Sequence, residues 1–230
     1  MDARLTWAVR NNADWCDRVC RSHRIPTRFR PELWATGQPP PRFYPDAVTL
    51  QAHVAEEDVL AAISPHPGAS VKDSFATLDL GRHGFDELFE ARWITYDQPP
   101  KRKPSLRWTV IDTEHALAEW TEAAGLTGIL GAELLRNPDV RFLAAQDQDG
   151  ISAGAVANLT GPVVGVSNVF ATGTTIGEDE AWADMPTAVG AAFPEAMLVG
   201  YERGPSLRAA TAAGFRDLGP LRVWLEPPAA

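Results

Sequence analysis

Three short apolar segments joined by two tight turns constrain this chain more than any other feature. Val140–Gln146 (VRFLAAQ), Ile151–Leu159 (ISAGAVANL) and Val163–Ala171 (VVGVSNVFA) have the length and composition of strands. The connections between them, Asp147–Gly150 (DQDG) and Thr160-Gly161-Pro162, are too short for anything but reversals. Strands joined in this way pair antiparallel, so the segments form a meander. On its N-terminal side Leu106–Ile111 (LRWTVI) alternates as a strand, Thr113–Ala124 has helical spacing with Asp112 or Thr113 as its cap, and a further helix is expected over Gly131–Leu135. On its C-terminal side the pattern predicts a helix over Asp179–Phe193, a strand over Ala196–Tyr201, a helix over Ser206–Ala213 and strand material in Phe215–Leu225.

The front of the chain reads differently. Asn11–Ile25 is an amphipathic helix with Asn12, Cys16, Val19, Cys20 and His23 on one stripe, ended by Pro26. Proline-rich Pro31–Pro45, with the run Gln38-Pro39-Pro40-Pro41, lacks backbone donors and reads as an extended surface arm or linker. Ala47–His53 has strand character and Glu56–Ile63 that of a short helix, while Val71–Tyr96 alternates around Gly81 and Gly84 in a way that fits strand or helix. Asp97–Ser105 (DQPPKRKPS) is polar, basic and proline-containing, the expected boundary. The chain is thus divided into a helical and proline-rich region over residues 1–100 and an α/β (α+β) domain with a mixed sheet over residues 106–230.

Charge follows the same division. The formal net charge is −9, but residues 1–110 carry 15 basic against 14 acidic side chains and residues 111–230 carry 6 against 16. A polyanion needs a basic face, and only Arg4–Arg30 and Lys101-Arg102-Lys103 offer one, so no nucleic-acid partner is expected. Met1–Trp15 lacks the apolar core of a secretory signal and no run of about 18 apolar residues occurs. A cytoplasmic protein without a membrane partner is the expectation, and no segment marks a particular oligomeric state.

The order strand, helix, helix, meander, helix, strand, helix, strand over Leu106–Leu225 resembles the GCN5-related N-acetyltransferase (GNAT) superfamily. The local carriers are the hairpin Phe142–Gly150 leading into Ile151-Ser152-Ala153-Gly154, and the ending Leu207–Phe215 (LRAATAAGF) with its Gly214-Phe215. The front half, with Trp15-Cys16 and the Phe43-Tyr44-Pro45-Asp46 arm, resembles leader regions of GNAT-like proteins of high-GC actinobacteria, and a degenerate second copy of the domain is one reading of it.

The resemblance implies an acyl-CoA-dependent N-acyltransferase with acetyl-CoA or another acyl-CoA as co-substrate and a small-molecule amine as acceptor; the acidic half favours a cationic amine. It implies a donor site between two splayed parallel strands, with Val169, Phe170, Gly173, Thr174 and Gly177 as donor contacts and Asn168, or its neighbour Ser167, toward the acceptor. The family's diphosphate-binding loop has the pattern Arg/Gln-x-x-Gly-x-Gly/Ala. Here the corresponding loop, Ala171–Asp184 (ATGTTIGEDEAWAD), has Gly173 and Gly177, no arginine, and Glu178-Asp179-Glu180 where a diphosphate would dock. These acids either oppose the anion or complement the positive end of their own helix. The family tyrosine four residues before Gly-Phe is Ala210 here. Tyr201 and Glu202, at the end of a strand, are the candidates for moving protons, with an aromatic finishing a strand and a solvated rim carboxylate as their plainer readings. The alternative function is a non-catalytic GNAT-like binding or regulatory protein that has lost CoA.

Other constellations are weaker. Cys16, Cys20 and His23 have the spacing of three ligands on one helix face, but they coincide with the apolar stripe and no second cluster completes the set, so no metal is expected. Asp73, Ser74, His83 and His115 contain the letters of a hydrolase triad without a Gly-x-Ser-x-Gly elbow. The eight tryptophans are scattered, as suits packing rather than a base-stacking platform.

Overall fold

A computed structural model describes residues 2–99, 103–148, 150–173 and 176–227. Lys101, Arg102 and Asp149, named above in the basic run and the meander turn, lie outside the described residues. In chain order the elements are α1 (Ala3–Ser22), β1 (Thr27–Phe29), β2 (Leu33–Thr36), β3 (Ala47–Thr49), α2 (Glu56–Leu60), β4 (Ser70–Asp73), β5 (Asp86–Tyr96), β6 (Trp108–Ile111), α3 (Glu114–Ala123), β7 (Val140–Asp147), β8 (Gly150–Thr160), β9 (Val163–Ala171), α4 (Glu178–Ala192), β10 (Met197–Glu202), α5 (Gly204–Ala212) and β11 (Arg216–Leu225). Two compact units result, Met1–Trp93 with Leu218–Ala230, and Ile94–Asp217. The sequence places the division in residues 97–105; the units part instead within β5, and Leu218 onward belongs to the first unit because that stretch of β11 pairs with β4.

In the first unit the strand order is β1-β2-β3-β4-β11-β5. The β1/β2 and β2/β3 pairs are antiparallel, β3/β4 is parallel, and β4/β11 is antiparallel with Val71 opposite Trp224. The proline-rich stretch is not simply a surface arm: Leu33-Trp34-Ala35-Thr36 is a fully buried strand, held on both sides by backbone ladders, and the prolines on either side of it stay outside the sheet. α1 starts at Ala3, earlier than its apolar stripe suggests, because the Asp2 side chain accepts the Arg4 N–H and caps it. Ala13, Cys16 and Cys20 pack against Trp34 and Val48, and both cysteines are free thiols. His23 sits exposed at the C-terminal cap, so it does not share their buried face. Among the described residues no three side chains are grouped to hold a metal ion, and no helix is long and apolar enough to cross a membrane.

In the second unit the order is β5-β10-β9-β8-β7-β6, with an antiparallel meander as expected over β7, β8 and β9. Thr113 caps α3, its side chain accepting the Ala116 N–H at 3.2 Å, and the short helix expected over Gly131–Leu135 is a single 3-10 turn, Ala132–Arg136. Alternation sorts the meander onto two faces. Leu143, Ala155, Ala157, Val164, Val166 and Leu198 form one core with Trp182, Met185 and Val189 of α4 and Ala209 and Ala210 of α5. On the opposite face Trp120 of α3 meets Phe142 and Phe170 edge to face, with ring centroids 5.3 and 5.2 Å away, and its indole N–H donates to the Leu143 carbonyl at 2.9 Å.

Small residues in β8 make this close layering work. A Cβ on Gly154 would lie 2.4 Å from Phe170 Cε1 and 2.6 Å from Trp120 Nε1, so neither ring could keep its place. Gly154→Ala is expected to destabilise the protein by about 1–3 kcal/mol, the usual cost of overpacking. Urea denaturation checks this, and shortening the obstructing ring in the double variant Gly154→Ala/Phe170→Leu should recover part of the loss.

Candidate functional site

β9 and β10 run parallel, but only Val163, Val164 and Gly165 pair, with Met197, Leu198 and Val199 respectively. Beyond these residues each strand continues, β9 to Ala171 and β10 to Glu202, outside the shared ladder. Two local features mark the point of parting. The register of β8 with β9 jumps from Gly154 opposite Phe170 to Val156 opposite Ser167, so Asn168 and Val169 together face Ala155. This is a β-bulge, which turns a strand and leaves one residue's backbone groups out of the ladder. Asn168 stands at φ 51, a left-handed conformation that asparagine tolerates better than most residues. On β10, Gly200 brings its backbone so near that a Cβ would lie 2.7 Å from the Val166 carbonyl oxygen.

The bulge decides how the expected residues are arranged. Simple alternation allows either Ser167 or Asn168 to face the opening; the bulge breaks that alternation between them, and the Asn168 amide donates to Ser167 Oγ at 3.1 Å. Val169 packs on the α4 side beside Ile176 and Ala181, while Phe170 packs toward Trp120 and Gly154 on the α3 side. The side chains of Val169 and Phe170, two of the expected donor contacts, are thus engaged in packing. Gly173 is exposed on the loop, Gly177 is the residue before the first turn of α4, and Thr174 lies outside the described residues.

At the carboxyl end of β10, Tyr201 and Glu202 are both half-buried, and alternation places them on opposite faces. Glu202 shares the parity of Leu198 and so the α4/α5 side. Burial pushes its carboxyl up to about 8, the negative charge of Glu178 pushes the same way, and the Arg203 backbone N–H and charge oppose the rise. At neutral pH Glu202 thus mostly keeps a proton, and it becomes a proton acceptor only in mild alkali.

Glu178, Asp179 and Glu180 form the first turn of α4. The Gly177 N–H donates to Glu180 Oε2 at 3.1 Å, so one of the acids caps its own helix and uses a donor that an anion would otherwise take. An opening flanked by two strand edges suits an extended, amide-bearing chain, whose amides can pair with backbone. A diphosphate at α4 would instead meet three carboxylates and one donor already engaged. Ala210, in place of the family tyrosine, is fully buried against Trp182 and Phe215 in the core.

Gly200, the Asn168–Val169 bulge and the Trp120–Phe170–Gly154 layer are the parts of the site that the sequence reading misses. Only Gly154, in the small-residue run of β8, carried a visible signal of close approach.

No family model matches the sequence, and no curated protein matches it. Solved structures do match the fold. A GCN5-related N-acetyltransferase from Kribbella flavida superposes with a TM-score of 0.67 at 12% identity, over 96% of this chain and 96% of its own. A functionally unknown conserved protein from Staphylococcus epidermidis gives 0.62 at 8% identity, over 89% and 95% of the two chains. A GCN5-related N-acetyltransferase from Sphaerobacter thermophilus gives 0.53 at 14% identity, over 76% of this chain and 65% of its own. The chain has a GNAT-like fold.

The carboxyl of Glu202 makes stability pH-dependent. Its proton is held to about pH 8 in the native state but only to about 4.5, the ordinary glutamate value, in the unfolded chain. Between these values the native state binds more protons, so this residue's contribution weakens as pH rises. Urea denaturation at about pH 5 and about pH 8 should show a smaller alkaline loss of stability in Glu202→Gln than in the parent protein. Equal losses in the two proteins would remove Glu202 as the source.

Proposed function

We propose that the second unit is an N-acyltransferase of the GNAT type, taking its acyl group from a pantetheine thioester such as acyl-CoA and passing it to a small amine. The observation that carries this reading is the parting of β9 and β10 after three residue pairs, beside a bulge that frees backbone from the ladder. When bound, the thioester supplies an activated acyl carbon. The chain supplies the rest: strand edges that align the arm, a backbone N–H near Asn168–Val169 as an oxyanion donor, and Tyr201 and Glu202 on the two faces of β10 as the groups that hold protons. The acceptor is a cationic amine in this reading, because Glu178 and Glu202 lie on one side of the opening and the second half of the chain is strongly acidic.

A second reading, a GNAT-like protein that binds or regulates without catalysis, is favoured by two observations. Glu180 engages the Gly177 N–H, and Ala210 offers no hydroxyl.

Thermal denaturation with acetyl-CoA and with S-acetylpantetheine separates the two. A thioester at about 100 times its Kd adds about 2.7 kcal/mol of stability. For a chain of this size that raises Tm by several degrees, at about 2–4 °C per kcal/mol. Thiol release in the presence of a panel of diamines should accompany the shift. Glu202→Gln and Tyr201→Phe are each expected to lower kcat by about 10²–10⁴-fold if the residue is the acid-base group. No shift with either thioester at millimolar concentration would leave the non-catalytic reading standing alone.

A further inference from the structure

We infer that the donor is held by its pantetheine arm alone, and that the nucleotide end of a coenzyme A thioester gains no hold on helix α4. This rests on the acyltransferase reading above and specifies the part of the donor that the site recognises.

An anion binds at a helix N-terminus because unpaired N–H groups and the dipole both favour negative charge there. In α4 one of these donors is already used and the charge around the others is negative. Glu180 reaches back to accept the Gly177 N–H, and Glu178 and Asp179 occupy the rest of the first turn. A bound diphosphate would have to displace the Glu180 carboxylate and remain beside three acids, with Glu202 a fourth carboxyl close enough to Glu178 to respond to its charge. Three of the described bases of this unit are engaged at other places. Arg216 pairs with Asp97, Arg136 pairs with Glu114 at 3.5 Å, and Arg141 lies over the Phe193 ring. Arg203, next to Glu202, and Arg107, whose neighbours Leu106 and Trp108 pack beside Ile176 and Ala181, are bases that could rescue a phosphate, and the experiment therefore includes both.

The opening between β9 and β10 has none of these conflicts. An extended arm with two amides pairs with strand edges without any net charge, and the Gly200 backbone beside the Val166 carbonyl and the bulge at Asn168 bound the opening with main chain. A neutral recognition element beside an acidic helix end selects the pantetheine thioester as the ligand chemistry, whether it arrives free or as the arm of a larger carrier.

Isothermal titration of the full chain with acetyl-CoA and with S-acetylpantetheine tests this. The two Kd values are expected to agree within about threefold, less than 1 kcal/mol. The double variant Glu178→Gln/Glu180→Gln keeps a capping side chain at the third helical position. It should tighten acetyl-CoA about tenfold and leave S-acetylpantetheine unchanged. Acetyl-CoA binding tenfold or more tightly than S-acetylpantetheine to the parent protein would overturn the inference while the acyltransferase reading stood, and loss of that preference in Arg203→Gln or in Arg107→Gln would show which residue holds the phosphate. Failure of both thioesters to bind would overturn the acyltransferase reading and the inference with it. If the arm comes from a carrier, S-acetyl-4′-phosphopantetheine should bind as well as the unphosphorylated compound; weaker binding points to the free arm.

Discussion

Three residue pairs hold β9 and β10 together, and the chemistry available to the second unit depends on the ladder ending there. Two parallel strands in register normally continue to pair until one of them stops. Here both continue, one bent by the Asn168–Val169 bulge and the other passing close to the Val166 carbonyl at Gly200. α4 follows β9 and α5 follows β10, and both helices are anchored in one core through Trp182, Met185, Ala209 and Ala210. The opening is therefore rigid at its base and bounded by backbone at its sides.

Much of this architecture could be read directly. The two short turns imposed the meander, the cap at Thr113 and the acids at the start of α4 marked helix ends, and the order of elements pointed to a GNAT-like fold. Local signals of that kind act over a few residues. The features that escaped depend on pairing partners distant in the chain. The bulge is a count of two residues of β9 against one of β8, and Ser167-Asn168-Val169 contains neither glycine nor proline to announce it. Buried β2 hid in a proline-rich segment because its neighbours β1 and β3, not its own composition, make it a strand. Glu178 and Glu202 are far apart in sequence, and only the fold brings their charges into contact.

The start of α4 shows how one short segment can serve stability or ligand binding but rarely both. A helix end offers a small number of free N–H groups and one partial charge. Using one of them for Glu180 strengthens the helix locally, and the carboxylates around the others oppose a visiting anion. Burial keeps the proton of Glu202 in place at neutral pH, and Glu178, one of these acids, adds to that effect. A change that looks like the loss of a binding motif thus also adds, through Glu178, to the effect of burial on the carboxyl at the end of β10.

β5 and β11 contribute residues to both units, and this has a consequence for how the chain is made. The first unit needs Ser70–Asp73 paired with Arg222–Leu225, segments far apart in the sequence. Those partners emerge from the ribosome only after every residue of the second unit. The part made first is therefore the part that closes last, and until it does, β4 presents an unpaired edge. Synthesis order and folding order run in opposite directions in this protein, and the interval between them is when it is most exposed to association through that edge.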